Sequence, residues 1–237
     1  MLQSTRLLAL IVVVLSLSLF GSHAIAGGFG LKVGASIPRW TMAAENKQYQ
    51  NLNNLSDFSI CGIVNFPLSH YISIQVEPAY SRQEFTLDYQ KAALEELAKT
   101  AFPTALPNSL SFTQDFVNIS CPVLLKVSPL ASGIRPYFLG GVVASINLSA
   151  TSTANFDTTN MNLVKPIDVK PTAKAVAYGL QLGAGIEIPL IASISFVADA
   201  RYSFPLSDAA SLSAFGTSLG SVKAANVLIL AGVNFDW

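Results

Sequence analysis

Apolar and polar residues alternate with a period of two along much of this 237-residue chain, the signature of strands that are apolar on one face only. The clearest run spans residues 175–188. Val176, Tyr178, Leu180, Leu182, Ala184, Ile186 and Ile188 share one face, and Ala177, Gly179, Gln181, Gly183, Gly185 and Glu187 share the other. Near the start, Phe29, Leu31, Val33, Ala35 and Ile37 alternate with Gly30, Lys32, Gly34 and Ser36. At the end, Val227, Ile229, Ala231, Val233, Phe235 and Trp237 fall together. Residues 58–66, 71–82, 116–127 and 193–202 repeat the pattern, whereas 135–148 is apolar on both faces and its facing is ambiguous. These segments predict eight strands.

The connections between them alternate in length. Residues 67–70, 128–134 and 189–192 are short, whereas 38–57, 83–115, 149–174 and 203–223 are long. Short periplasmic turns and long extracellular loops are the asymmetry of outer-membrane barrels. With the amino terminus in the periplasm, every short turn and both chain ends fall on that side. Aromatic residues sort by height in the same frame, with Phe66, Phe235 and Trp237 at periplasmic ends and Tyr80, Tyr178 and Tyr202 near extracellular ends, as in the girdles at membrane interfaces.

Composition removes most alternatives. Charged residues are 12% of the chain and hydrophobic ones 51%, against about 25% charged in typical soluble domains. Mean hydropathy is +0.47. The formal charge is zero, which leaves no electrostatic footprint for nucleic acid. Residues 1–26 read as a cleaved signal peptide. Arg6 is the basic head, Leu7 to Phe20 the apolar run, and Ala24-Ile25-Ala26 a small-x-small cleavage site. The alternative is an uncleaved anchor. Cleavage removes only Arg6 from the 14 basic residues and none of the 14 acidic ones, so residues 27–237 carry a net charge of −1 (13 minus 14). After Ala26 there is no apolar run of the roughly 18 residues that a spanning helix needs. The architecture left for an exported, apolar chain is the closed antiparallel β-barrel, which satisfies its own backbone inside a bilayer.

The fold class predicted is therefore all-β: an eight-stranded up-and-down transmembrane barrel in the bacterial outer membrane. A soluble barrel of lipocalin type shows the same alternation with its faces swapped. The polar face of Gly, Ala, Ser and Gln argues against it, because small residues suit the inside of a narrow eight-stranded barrel. The charged and polar positions on that face, Lys32, Glu77, Gln181, Glu187, Asp199 and Arg201, are then lumenal. Glu187, Asp199 and Arg201 lie on neighbouring strands and are expected to pair across the lumen, since an unpaired buried charge is costly. Such a cluster reads either as an ion-pair filling or as a proton or solute path. Lys126 belongs to it or to the periplasmic rim.

Other signals add little chemistry. Leu94, Leu97, Ala98, Ala101 and Phe102 recur at helical spacing after a capping Asp88, predicting a short helix in the third connection. Cys61 and Cys121 fall on opposite faces and are expected to be two free thiols. After the signal peptide the one histidine is His70, in a short turn. No metal-ligand cluster, cofactor motif or Ser-His-acid set is apparent, so no enzyme activity and no cofactor are expected.

Five segments carry a family resemblance: Gly30-Leu31-Lys32-Val33-Gly34, Gln75-Val76-Glu77-Pro78-Ala79-Tyr80-Ser81, Cys121 to Lys126, Arg135 to Gly141, and Asp199-Ala200-Arg201-Tyr202-Ser203. Together they resemble the PorT-like outer-membrane β-barrel family of Bacteroidetes. The resemblance implies an eight-stranded barrel and an assembly signal in the last strand, at Phe235 and Trp237, read by the barrel-assembly machinery. Some members of that family are linked to protein secretion and gliding motility, and no catalytic residues carry over. The function expected is a membrane anchor or scaffold whose extracellular loops meet an envelope protein partner, embedded in outer-membrane lipid and lipopolysaccharide. A narrow, porin-like pore for small solutes is the alternative.

Overall fold

The computed structural model describes residues 27–42, 50–54, 57–89, 109–157, 172–173, 176–208, 210–214 and 217–236. In chain order the strands are β1 (Gly28–Met42), β2 (Gln50–Asn54), β3 (Asp57–Pro67), β4 (Ile72–Val76), β5 (Ala79–Tyr89), β6 (Ser109–Val127), β7 (Arg135–Asp157), β8 (Thr172–Ala173), β9 (Val176–Ile191), β10 (Ile194–Pro205), β11 (Ala210–Ala214) and β12 (Thr217–Asp236). They form one closed antiparallel barrel of eight staves: β1, β3, β4 with β5, β6, β7, β9, β10 and β12. Closure is made by β1, which pairs β12 from Gly28↔Asp236 to Met42↔Val222 and pairs β3 on its other edge. Closure leaves no unpaired edge within the hydrocarbon, where each unsatisfied backbone group would cost several kcal/mol.

Neighbouring staves are joined tightly at one end. Residues 68–71 connect β3 to β4, and Ala192 and Ser193 connect β9 to β10. The β6–β7 turn carries Gly133 at φ 72°, a left-handed conformation that glycine adopts at no steric cost. Both chain termini of the barrel lie at this end, since Gly28 opposes Asp236. This is the periplasmic end.

At the opposite end the strands run further than alternation suggests. β6 and β7 pair as far as Ser109↔Asp157, and β5 and β6 as far as Tyr89↔Leu110. Much of the sequence expected as long loops is therefore strand. In the β7 extension, residues 149–157, Ser, Thr and Ala leave little apolar contrast, whereas Phe85, Leu87 and Tyr89 of β5 and Leu110 and Phe112 of β6 continue the alternation into theirs. Asp88 lies within β5, paired with Asn51 and Ser111. The helical pattern that follows it, and the signal peptide, lie outside the described residues.

Lipid-facing and lumenal positions separate as the alternation predicts. Leu31, Val33, Leu125, Val142, Leu182 and Ile229 are each 46–57% exposed on the outer surface. A continuous apolar belt of this kind on a water-soluble barrel would be an aggregation surface. In a bilayer it is the solvated face. Phe29 stacks on Phe235 at the periplasmic end with ring centroids 5.0 Å apart. Phe58 meets Tyr80, and Tyr202 meets Phe204, nearer the extracellular end. The ambiguous segment resolves: Phe138, Val142 and Ile146 point to lipid, while Tyr137, Leu139 and Val143 are buried in the lumen.

Candidate functional site: the lumenal charge cluster

An eight-stranded barrel leaves an interior just wide enough for side chains to fill, and here the filling is ionic. Lys32 on β1 donates to Glu77 at 2.8 Å and to Asp199 at 2.7 Å. Arg201 on β10 holds Asp199 through Nε at 2.6 Å and Nη2 at 3.0 Å. It also reaches Glu77 through Nη2 at 2.9 Å and through Nη1. Two cations and two carboxylates thus form a neutral quartet, and each side chain in it is 0–1% exposed. Gln75 donates to Glu77 from below, and Arg201 reaches Gln181 at 3.4 Å.

Local sequence makes room for this quartet. A Cβ on Gly185 would stand 2.6 Å from both Asp199 Cβ and Tyr137 Cζ, and one on Gly183 would stand 2.7 Å from Arg201 Cγ. The glycines of β9 are therefore sockets for the long side chains of β10 and β7. Glu77 owes its position to a break in its stave. Pro78 has no N–H to donate, so β4 ends and β5 begins around it. The Glu77 N–H donates across to the Pro122 carbonyl at 3.0 Å.

A second cluster lies nearer the periplasm. Glu187 accepts from Lys126 at 2.6 Å and from Arg135 at 2.6 Å, and Arg135 lies 3.7 Å from Asp236. Tyr137 joins the two layers: its hydroxyl donates to Asp199 at 2.9 Å, and Lys126 Nζ sits 4.5 Å from its ring centroid. Leu124 and Leu139 pack beside it. At the lower rim Asn65 donates to Asn234 at 3.2 Å, and Asn234 donates to Asp236 at 2.7 Å.

Of the residues singled out from sequence, Lys32, Glu77, Gln181, Asp199 and Arg201 meet in one layer. Glu187 does not pair with Arg201. The β9–β10 register sets Val197 opposite Glu187 and Gly183 opposite Arg201, an offset of four residues, or about 13 Å along a strand. Glu187 belongs instead with Lys126 and Arg135. Tyr137 and Arg135 were not anticipated, because their segment shows no facing. The available signal was a tyrosine in an apolar run, whose hydroxyl needs a partner when buried. Phe235 stacks on Phe29, whereas Trp237 lies outside the described residues. Cys61 and Cys121 are both free, Cys61 buried in the lumen and Cys121 exposed. Among the described residues no group of His, Cys, Asp and Glu is arranged to hold a metal ion.

A closed barrel with an apolar belt, a charged plug and short turns at one end defines an integral outer-membrane protein. The chain belongs to the outer membrane protein beta-barrel domain family, whose pattern it matches over residues 22–211. Among solved structures it is similar in fold to the outer membrane protein OprG from Pseudomonas aeruginosa. The two are 14% identical, the match covers 90% of this chain and 96% of that one, and the TM-score is 0.52. Neisserial surface protein A is 13% identical over 90% of this chain and 99% of that one, with a TM-score of 0.42. Ail of Yersinia pestis is 12% identical over 88% and 99%, with a TM-score of 0.41. No match was found among curated proteins.

Proposed function

We propose that this protein is a non-enzymatic membrane anchor that works through its extracellular surface, not through its lumen. The observation that carries this reading is the stacked filling from the Lys32–Glu77–Asp199–Arg201 quartet, through Tyr137, to the Lys126–Glu187–Arg135 cluster. Each charge there has an opposite partner within hydrogen-bond distance. A water-filled path for ions would have to displace these pairs, and an unpaired buried charge costs several kcal/mol. The strands β5, β6 and β7 continue past the apolar belt on the side opposite the short turns, which is the side an envelope partner would meet. The resemblance to PorT-like proteins supports a partner in protein secretion, and the last strand with Phe235 and Trp237 then serves as the assembly signal.

The test replaces residues 85–114 with an Asn-Gly turn, a sequence suited to a two-residue hairpin, so that it joins the paired residues Glu84 and Asp115. The expected product still inserts in the outer membrane and runs as a compact band that slows on boiling. It fails to cross-link to the envelope protein captured by the wild type in living cells. Unchanged cross-linking, or discrete conductance steps from the wild-type protein in a planar bilayer, would overturn the reading, the latter in favour of a narrow pore.

A further inference from the structure

Two cations outside the lumen stand apart from the ion pairs described above. Arg39 on β1 and Lys223 on β12 are both exposed, and among the described residues neither is in an ion pair. Ser36 and Pro38 are buried while Ile37 and Arg39 are exposed, so Arg39 continues the lipid-facing row of Leu31, Val33 and Ile37. Ala224, Asn226 and Leu228 line the lumen, so Lys223 lies on the outer face as well. The register sets Arg39 opposite Ala225 and Thr41 opposite Lys223. Arg39 and Lys223 are then diagonal neighbours, about 7–8 Å apart, with only the methyl group of Ala225 beside them. The Thr41 hydroxyl, which donates to the Lys223 carbonyl at 3.5 Å, is exposed on the same face.

Their height matches a headgroup layer. Phe29 stands at the periplasmic interface, and Arg39 lies ten residues further along the same strand, or roughly 33 Å. At the usual strand tilt of roughly 40° that is a rise of about 25 Å, the height of the apolar band. Immediately below, Val227 is opposed by Ile37 on one side and by Tyr202 of β10 on the other, so an apolar and aromatic surface lies under the two cations. The one carboxylic side chain in β1, β11 and β12 is Asp236, at the periplasmic end, so these strands do not balance the two positive charges. Arg82 differs: it is exposed too, but Asp115 holds it at 2.6 Å. We propose that Arg39 and Lys223 bind a phosphate group of an outer-leaflet glycolipid, the lipid A part of lipopolysaccharide, against the barrel wall. Arginine offers a planar fork to two phosphate oxygens, and lysine a mobile point charge. The row from Ile37 downward receives the acyl chains, which a free phosphate ion lacks. This site is independent of any protein partner of the extracellular loops.

The test uses full-length mature protein in phosphatidylcholine nanodiscs that contain increasing fractions of diphosphoryl lipid A or of dephosphorylated lipid A, with inorganic phosphate added to lipid-A-free discs as a third arm. Nuclear magnetic resonance follows the Arg39 Nε–H signal, and native mass spectrometry counts the lipid retained after release into detergent. The expected result is a saturable Arg39 shift and one retained lipid with diphosphoryl lipid A, and neither with the other two probes. Arg39→Gln combined with Lys223→Gln should lower retention by about tenfold in a barrel whose heat-dependent mobility is unchanged. Arg82→Gln, which removes a cation that already has its carboxylate, should retain lipid as wild type does. Equal retention by the double variant and wild type, an equal loss in Arg82→Gln, equal retention of dephosphorylated lipid A, or the same Arg39 shift with inorganic phosphate would overturn the proposal.

Discussion

Arg201→Leu is expected to destabilise the barrel by about 3–5 kcal/mol, the penalty for breaking a buried ion pair by removing one partner. Arg201 contributes the contacts to both carboxylates of the quartet, so its loss leaves Lys32 alone against Glu77 and Asp199. The layer changes from neutral to a net charge of −1 in a site that excludes water. Arg201→Lys should recover only part of the loss. A point-like ammonium on a shorter reach cannot reproduce the fork that grips two carboxylates at once. The diagnostic variant is Arg201→Leu combined with Asp199→Asn, which restores one cation against one carboxylate. It should be more stable than Arg201→Leu alone, although it carries one more substitution. Urea unfolding in lipid bilayers measures all three. Equal stability of Arg201→Leu and wild type would show that the quartet does not carry the packing assigned to it.

Gly185→Val is the second large effect, about 3 kcal/mol of destabilisation, the upper part of the range for overpacking a tight interior. Its Cβ alone would meet Tyr137 Cζ and Asp199 Cβ at 2.6 Å. Both belong to the hydrogen bond that ties the upper ionic layer to the lower one, so neither can withdraw without loosening it. Gly140→Ala is the matched control. Its added Cβ meets only Leu182 Cδ2, at 3.2 Å, the end of a lipid-facing side chain that can turn aside. The control should stay within about 0.5 kcal/mol of wild type. Similar losses at both positions, read from the same unfolding experiment, would contradict the socket role of the β9 glycines.

The residues show how much of this was legible beforehand. Alternation located the eight staves because lipid on one side and a narrow lumen on the other impose opposite chemistries on successive residues. It located Lys32, Glu77, Asp199 and Arg201 on the inner face for the same reason. It did not say which of them meet. Facing has a period of two, whereas pairing across a lumen depends on the height set by register, and Glu187 sits four residues away from the level of Arg201. The segment 135–148 stayed ambiguous because Tyr137, Leu139 and Val143 fill the inside with apolar bulk. That is a packing solution, and a hydropathy pattern does not distinguish it from a lipid-facing surface. The β7 extension was hidden because residues 149–157 are mostly Ser, Thr and Ala with little apolar contrast, whereas Phe85, Leu87 and Tyr89 of β5 and Leu110 and Phe112 of β6 continue the alternation past the expected strand ends.

The apolar face of each stave looks outward into lipid while the polar face closes the lumen. Spin labels placed one at a time at residues 180 to 187 of β9, in protein reconstituted in bilayers with Cys61 and Cys121 replaced by Ala, test it directly. Collisions with lipid-soluble oxygen and with a water-soluble nickel chelate are compared at each site. The expected result is high oxygen accessibility at 180, 182, 184 and 186, and low accessibility to both reagents at 181 and 187, a clean period of two. High nickel accessibility at 182 and 186 would contradict it, because those side chains would then face water.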